Sequence, residues 1–132
     1  MSLRVERSDG TLRITFDRAE KRNAITIAMW ADLERTLATL QPEDRVLVLT
    51  GAGGTFSAGS DVTEFLDPSH DIAEGIASTH RVVAAVAALG IPSVAVVDGV
   101  AAGSALNVAL ACDLIVASDR ATFTQIFARR GL

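Results

Sequence analysis

The chain predicts an α/β fold in which parallel strands alternate with helical crossovers. Three observations carry that prediction. Two apolar runs, Arg45-Val-Leu-Val-Leu-Thr50 and Ser93-Val-Ala-Val-Val97, are strand-length and each runs straight into a glycine-rich turn. Before each run lies a stretch with apolar residues at three- and four-residue spacing, the period of a helix buried on one face. The resulting order is hairpin, helix, strand, helix, strand, helix, strand, which builds a sheet through crossovers.

Each element has its own signal. Leu3 to Arg7, then Leu12, Ile14 and Phe16, alternate around Ser8-Asp-Gly10, which reads as a β-hairpin. Asp17 to Asn23 is a polar loop. Thr26 is placed to cap a helix whose apolar face is Ile27, Trp30, Leu33, Leu37 and Leu40, ended by Pro42. The run at 45–50 is expected to be a buried strand. Asp61 to Leu66 predicts a short helical segment. Ile72 to Leu89 predicts a long helix with Ile76, Val83 and Val86 on its apolar face, stopped by Gly90 and Pro92. The run at 93–97 is a further buried strand, Ser104 to Ala111 a helix of small residues, Leu114 to Ala117 a strand, and Ala121 to Thr124 one more. No helix follows that last strand, so one sheet face is expected to be uncovered, and residues 1–132 are expected to be the N-terminal part of a longer chain.

Composition narrows the function classes. With 132 residues, 49% hydrophobic and 21% charged, the sequence is that of one globular domain. The net charge is −4 and no basic block occurs, so nucleic acid is not an expected partner. The longest apolar stretch, Val94 to Ala117, is broken by Asp98, Asn107 and Asp113, so it does not read as a membrane span. Cys112 is the single cysteine and sits among apolar neighbours as a core residue; a reducing, cytoplasmic location fits. The first residues show neither an apolar signal segment nor an Arg-rich presequence. His70 reads as an exposed loop residue and His80 as structural, and neither has a partner at metal-ligand spacing, so no metal site is expected.

The chemistry concentrates in two turns, Gly51-Ala-Gly-Gly-Thr-Phe-Ser-Ala-Gly-Ser-Asp61 and Asp98-Gly-Val-Ala-Ala-Gly-Ser-Ala-Leu-Asn107. Small residues there let a ligand approach the main chain, and each turn leads toward a helix start, where N–H groups lack partners. In open α/β sheets, ligands collect at such strand ends. Two turns can then supply two convergent N–H groups, the chemistry of an oxyanion hole. The first turn is not a Walker loop, since no Gly-Lys-Ser/Thr follows, and Phe56 stands where a dinucleotide fingerprint needs its third glycine. Neither Ser60 nor Ser104 sits in a Gly-x-Ser-x-Gly elbow, which argues against a serine hydrolase.

In sequence these segments resemble the crotonase superfamily, the enoyl-CoA hydratase/isomerase family. Arg18-Ala-Glu-Lys-Arg-Asn-Ala24, Phe56-Ser-Ala-Gly-Ser-Asp-Val62, Pro92-Ser-Val-Ala-Val-Val-Asp-Gly-Val-Ala-Ala-Gly-Ser104, Ala111-Cys-Asp-Leu-Ile-Val-Ala-Ser118 and Ala121-Thr-Phe occur in the family's order. The resemblance implies a crotonase-like spiral of repeated ββα units, incomplete at the C-terminus, and an acyl-CoA ligand. It places the thioester oxygen on the backbone N–H groups of Ala58 and Ser104. Ala24, Ser57, Gly59, Ser60, Asp61 and Val62 would line the CoA groove. Lys21 and Arg22 are candidates for its phosphates, with a solvated loop charge the alternative for each. CoA enters as part of the substrate, no separate cofactor is implied, and a homotrimer or hexamer is the expected assembly.

The departures from the family pattern bear on the reaction. Family hydratases activate water with two glutamates, and counting without gaps those positions hold Asn107 and Phe127. Neither side chain transfers protons near neutral pH. Some isomerases of the family use instead one acid just beyond a Gly-Leu like Gly131-Leu132, so the resemblance implies double-bond isomerisation over hydration, with the acid–base group beyond Leu132. Asn107 would orient a carbonyl or a water, or simply pack its helix. The alternative is a non-catalytic acyl-CoA-binding or assembly subunit.

Overall fold

The turn Asp9-Gly10 has both residues at positive φ, 51° and 83°, the two-residue geometry that matches strand twist. It joins β1 (Leu3–Ser8) to β2 (Thr11–Phe16), and the pairing is antiparallel, with Ser8 opposite Thr11. The computed structural model describes residues 2–131. After β2 come α1 (Ile27–Ala38), β3 (Val46–Gly51), α2 (Val62–Phe65), α3 (Ile72–Ala87), β4 (Ser93–Val97), β5 (Val100–Ala102), α4 (Gly103–Ala111), β6 (Leu114–Ala117) and β7 (Thr122–Thr124). One sheet has the order β1-β2-β3-β4-β6, parallel from β2 onward, and a second pairs β5 with β7 in parallel. This is the expected mixed α/β architecture.

The helices form where the caps predict. Thr26 Oγ1 accepts the Met29 N–H at 3.1 Å, and Glu64 Oε2 accepts the Ile27 N–H at 2.6 Å, so a carboxylate from α2 closes the first turn of α1. Asp71 caps α3 through the Glu74 N–H. Leu12, Ile14, Leu47, Leu49, Ala95 and Val97 face one layer of helices and are buried against Trp30, Leu33, Val82, Val86, Ala105 and Val108.

Three expectations change. The strand runs are buried on one face only: in β3 and β4, Leu47, Leu49, Ala95 and Val97 are buried, whereas Val48 is half-buried and Val96 exposed. Helices cover only that face among the described residues, and β6 lies open, with Leu114 63% and Val116 57% exposed. In α3 the inward stripe is Gly75, Ser78, Thr79, Val82 and Val86, while Ile76 is 46% exposed. Gly75 brings the backbone to 3.5 Å from the Phe65 ring, measured from where a Cβ would stand. The buried hydroxyls are satisfied locally, Thr79 donating to Gly75 O and Ser78 to Glu34, so a polar stripe serves as the packing face. Finally, the second glycine turn is shorter than its sequence suggests. Asp98-Gly99 makes the turn, and the next three residues form β5 before α4 begins.

Candidate active site

Gly51 ends β3 against the following loop so closely that a Cβ would lie 2.1 Å from Thr55 O. That loop is organised from outside by Asn23. Its buried Nδ2 donates to Ala52 O at 2.9 Å, Thr55 O at 3.0 Å and Phe56 O at 3.2 Å, while its Oδ1 accepts the Arg18 N–H at 2.8 Å. Phe56 is buried edge-on to Phe16, with ring centroids 5.4 Å apart.

Beyond Phe56 the chain is held on both sides. Ile25 donates to Gly59 O and its carbonyl accepts the Asp61 N–H, at 2.8 and 2.9 Å. On the other side Ser57 donates to Val100 O and accepts the Ala102 N–H, at 2.9 and 3.0 Å. The Ser57 hydroxyl donates to Asn23 O at 2.7 Å and accepts the Gly59 N–H. Asp61 accepts from Thr63 N and Oγ1 and pairs with Arg18 Nη1 at 2.6 Å. The Thr63 hydroxyl first, and then Arg18, hold its carboxyl below the usual aspartate range against the opposing effect of burial.

The two turns touch. Gly99, at φ 63°, lies so close to the first turn that a Cβ would sit 2.3 Å from Gly54 O. Downstream, a Cβ on Gly59 would meet Ala102 O at 2.9 Å and Ser104 N at 3.7 Å. Ser60 and Ser104 therefore face each other. The Ser60 N–H donates to Ser104 Oγ at 3.0 Å, the two hydroxyls are 2.8 Å apart, and Trp30 Nε1 donates to Ser60 Oγ at 3.1 Å. Ser104 lies in the first turn of α4, and its own N–H has no acceptor among the described residues.

Ala58 departs from expectation. Its N–H already donates to Arg22 O at 2.9 Å, so it is not open to a ligand; the N–H that reaches α4 belongs to Ser60. Ala24, Ser57, Gly59, Ser60, Asp61 and Val62 are brought together by the bridge between Ile25 and Ser60. The Ser57 and Asp61 side chains are committed internally, which leaves mainly backbone on offer there. Lys21 and Arg22 are exposed at the same edge. Asn107 sits further along α4, its Oδ1 accepting from Gln125 Nε2 at 2.5 Å, beside a shallow cleft lined by His80, Val83, Ala87 and Leu110. The Phe127 ring lies 3.8 Å from where a Gly103 Cβ would stand, against the start of α4. The roles of Asn23, Arg18, Trp30 and Gln125 were missed in the sequence. Only Asn23 had a local clue, its place between an arginine-rich loop and Ala24.

Comparison with known proteins decides the family. The sequence model described as enoyl-CoA hydratase/isomerase matches residues 6–132. The chain belongs to the enoyl-CoA hydratase/isomerase family. Among relatives, a "Probable enoyl-CoA hydratase" of Rhodobacter capsulatus is 35% identical over 99% of this chain and 51% of its own length. The "Enoyl-CoA delta isomerase 2" of Rattus norvegicus is 37% identical over 92% of this chain and 32% of its own. A Thermobifida fusca YX structure in complex with acetoacetyl-CoA superposes with a TM-score of 0.90 at 31% identity, covering 99% of this chain and 56% of that one. The fold is thus that of enoyl-CoA hydratase/isomerase proteins, and the chain spans about half the length of the first curated relatives it matches. Among the described residues, no helix is long and apolar enough to cross a membrane.

Proposed function

We propose that this family member binds an acyl-CoA thioester with its carbonyl oxygen at the junction of the Ser57–Ser60 segment and the N-terminus of α4, and stabilises the enolate formed there. The observation that carries the reading is the Ser104 N–H, without an acceptor among the described residues, beside the Ser60 N–H, which donates to a hydroxyl. Donors fixed before the reaction stabilise charge that develops on the oxygen, and one such donor is typically worth about 3 kcal/mol. Lys21 and Arg22 are assigned to the CoA phosphates. Ala24, Ser57, Gly59, Asp61 and Val62 are assigned to the groove, chiefly through backbone.

Isomerisation of a 3-enoyl-CoA to a 2-enoyl-CoA is the reaction we favour over hydration. Asn107 and Phe127 supply no base to activate water. The nearby carboxylates are engaged, Asp61 with Arg18 and Glu64 with the Ile27 N–H. The Asn107–Gln125 amide contact favours a second reading, an acyl-CoA-binding subunit without turnover. The test is a parallel assay of isomerisation and hydration on the full-length protein. Isomerisation without hydration supports the proposal, binding without either reaction selects the second reading, and efficient hydration overturns the assignment of Asn107 and Phe127.

A further inference from the structure

A second stripe of α3 lies beside its packing face. His80, Val83 and Ala87 stand there at helical spacing and, with Asn107, Leu110 and Ala111 of α4, line a cleft of about 500 Å³. The two helices pack together and lead into the parallel strands β4 and β6, so they run the same way. His80 and Asn107 therefore share one end of the cleft, and the apolar residues follow. Ser104 stands one turn before Asn107 on the same face of α4, so the cleft continues the line that starts at the Ser104 N–H.

The polar end of the cleft holds one group suited to moving a proton. Gln125 Nε2 donates to Asn107 Oδ1 at 2.5 Å, and what Asn107 has left to offer is N–H donors. The charged side chains nearest on α3 and α1 are spent on one another, Arg81 on Glu34 and Glu74, and the Ser78 hydroxyl on Glu34. α4 carries no charged residue. The His80 imidazole is exposed and has no hydrogen-bond partner among the described residues. Histidine is the side-chain type that exchanges protons near neutral pH, with one ring nitrogen to accept and one to donate.

We infer that His80 is the catalytic residue that carries the proton in double-bond isomerisation; this rests on the acyl-CoA reading above. With the thioester oxygen at the Ser104 N–H, C2 to C4 of the acyl chain lie over the next turn of α4, at the polar end of the cleft. The rest of the chain lies on Val83, Ala87, Leu110 and Ala111. The neutral imidazole nitrogen takes a proton from C2 of the 3-enoyl thioester. The C–H electron pair forms the C1–C2 double bond, and the carbonyl pair passes to the thioester oxygen. The imidazolium then returns that proton to C4. The C3–C4 pair takes it, the C1–C2 pair moves to C2–C3, and the carbonyl is restored, so protons and electrons balance. C2 and C4 are two bonds apart, so one side chain on a fixed helix serves both. The acid–base group thus stands on α3 rather than beyond Leu132.

The test uses full-length protein, with isomerisation of 3-hexenoyl-CoA read as kcat and affinity for the unreactive hexanoyl-CoA read by calorimetry. His80→Gln keeps size and polarity without the titrating ring, and His80→Ala empties the site at an exposed helix position that alanine suits. Both are expected to lower kcat on the order of 100-fold or more, while affinity for hexanoyl-CoA changes less than about threefold. Imidazole added to the solution is expected to raise the rate of His80→Ala, whose missing ring it replaces, and to leave that of His80→Gln unchanged. A kcat within about tenfold of the unsubstituted protein, an affinity that falls in step with kcat, or a His80→Ala rate unmoved by imidazole overturns the inference and leaves the acyl-CoA reading standing. Binding of hexanoyl-CoA by an unsubstituted protein that does not isomerise does the same. Failure of the unsubstituted protein to bind hexanoyl-CoA overturns both.

Discussion

Arg18 and Asp61, far apart in sequence, form an ion pair of 2.6 Å that ties the loop after β2 to the segment leading into α2. Arg18 Nη1 also donates to Ala24 O at 3.1 Å, so one guanidinium fixes both walls of the candidate groove. Both side chains are largely withdrawn from solvent, which shields the pair from salt more than a surface pair.

That pairing gives stability a defined pH dependence. The Asp61 carboxyl titrates below its ordinary value in the folded chain, through Thr63 first and Arg18 next. Its contribution is therefore fully present above the unfolded aspartate value, near pH 4, and is lost as pH falls through the lower folded value. Asp61→Ala is expected to cost about 2 kcal/mol at pH 7, with the difference from the unsubstituted protein shrinking toward pH 3. Urea titrations at several pH values measure this. A deficit that stays constant down to pH 3 would assign the loss to packing.

Asn23 is the second organiser, and its amide works as a donor. Asn23→Asp preserves shape but turns the donor group into an acceptor facing Ala52 O, Thr55 O and Phe56 O. Leaving those carbonyls without their donor, beside a buried carboxylate, is expected to cost about 3 kcal/mol or more. The position also has φ 54°, which asparagine and aspartate tolerate alike, so the comparison isolates the hydrogen bonds. Equal stability of the two proteins by chemical denaturation would refute this account.

Gly99 makes a purely steric prediction. An added Cβ would stand 2.3 Å from Gly54 O, a backbone atom, and the residue is at φ 63°. Gly99→Ala must separate the two turns and strain its own backbone, so it is expected to destabilise by about 3 kcal/mol. Gly90→Ala is the control, since nothing lies within 4 Å of its Cβ position and its φ is ordinary. Thermal unfolding of both variants should separate them clearly.

Cys112 tests the core reading. Burial, with Asp113 adding to it, pushes its thiol up to about 11. With so little thiolate at pH 8, a disulfide reagent should label the folded chain far more slowly than the urea-unfolded chain. Equal rates would mean that the thiol is exposed.

The parts legible in the sequence were those written locally. The Asp9-Gly10 turn, the Thr26 cap and the strand-to-glycine transitions at Gly51 and Asp98 each follow from a few adjacent residues. Hydrophobicity misplaces Ile76, because α3 packs through Gly75, Ser78 and Thr79, whose size and internal hydrogen bonds matter more. Ala58 failed for a different reason. Whether an N–H is free depends on a carbonyl elsewhere, here Arg22 O, and periodicity carries no information about it. The meeting of Trp30, Ser60 and Ser104 is a product of topology: a helix face, a turn and a helix start join only once the sheet order is fixed.

The charged edge of the candidate groove supplies the last prediction. Lys21 and Arg22 are exposed beside Asn23, and Arg22 has φ 52°, so its carbonyl is turned onto the Ala58 N–H while its side chain stays in solvent. If these cations meet the CoA phosphates, Lys21→Ala with Arg22→Ala should weaken acyl-CoA binding about tenfold at low salt, roughly 1.4 kcal/mol for the pair. The effect should shrink as ionic strength rises, because exposed charges are screened over about 10 Å at 0.1 M salt. A matched acyl-pantetheine thioester lacks the phosphates, and its affinity should not change. Calorimetry on the full-length protein with both ligands decides the matter: equal loss for the two thioesters would place the damage in the groove's backbone, through Arg22 O and Ala58, and remove these side chains from phosphate recognition.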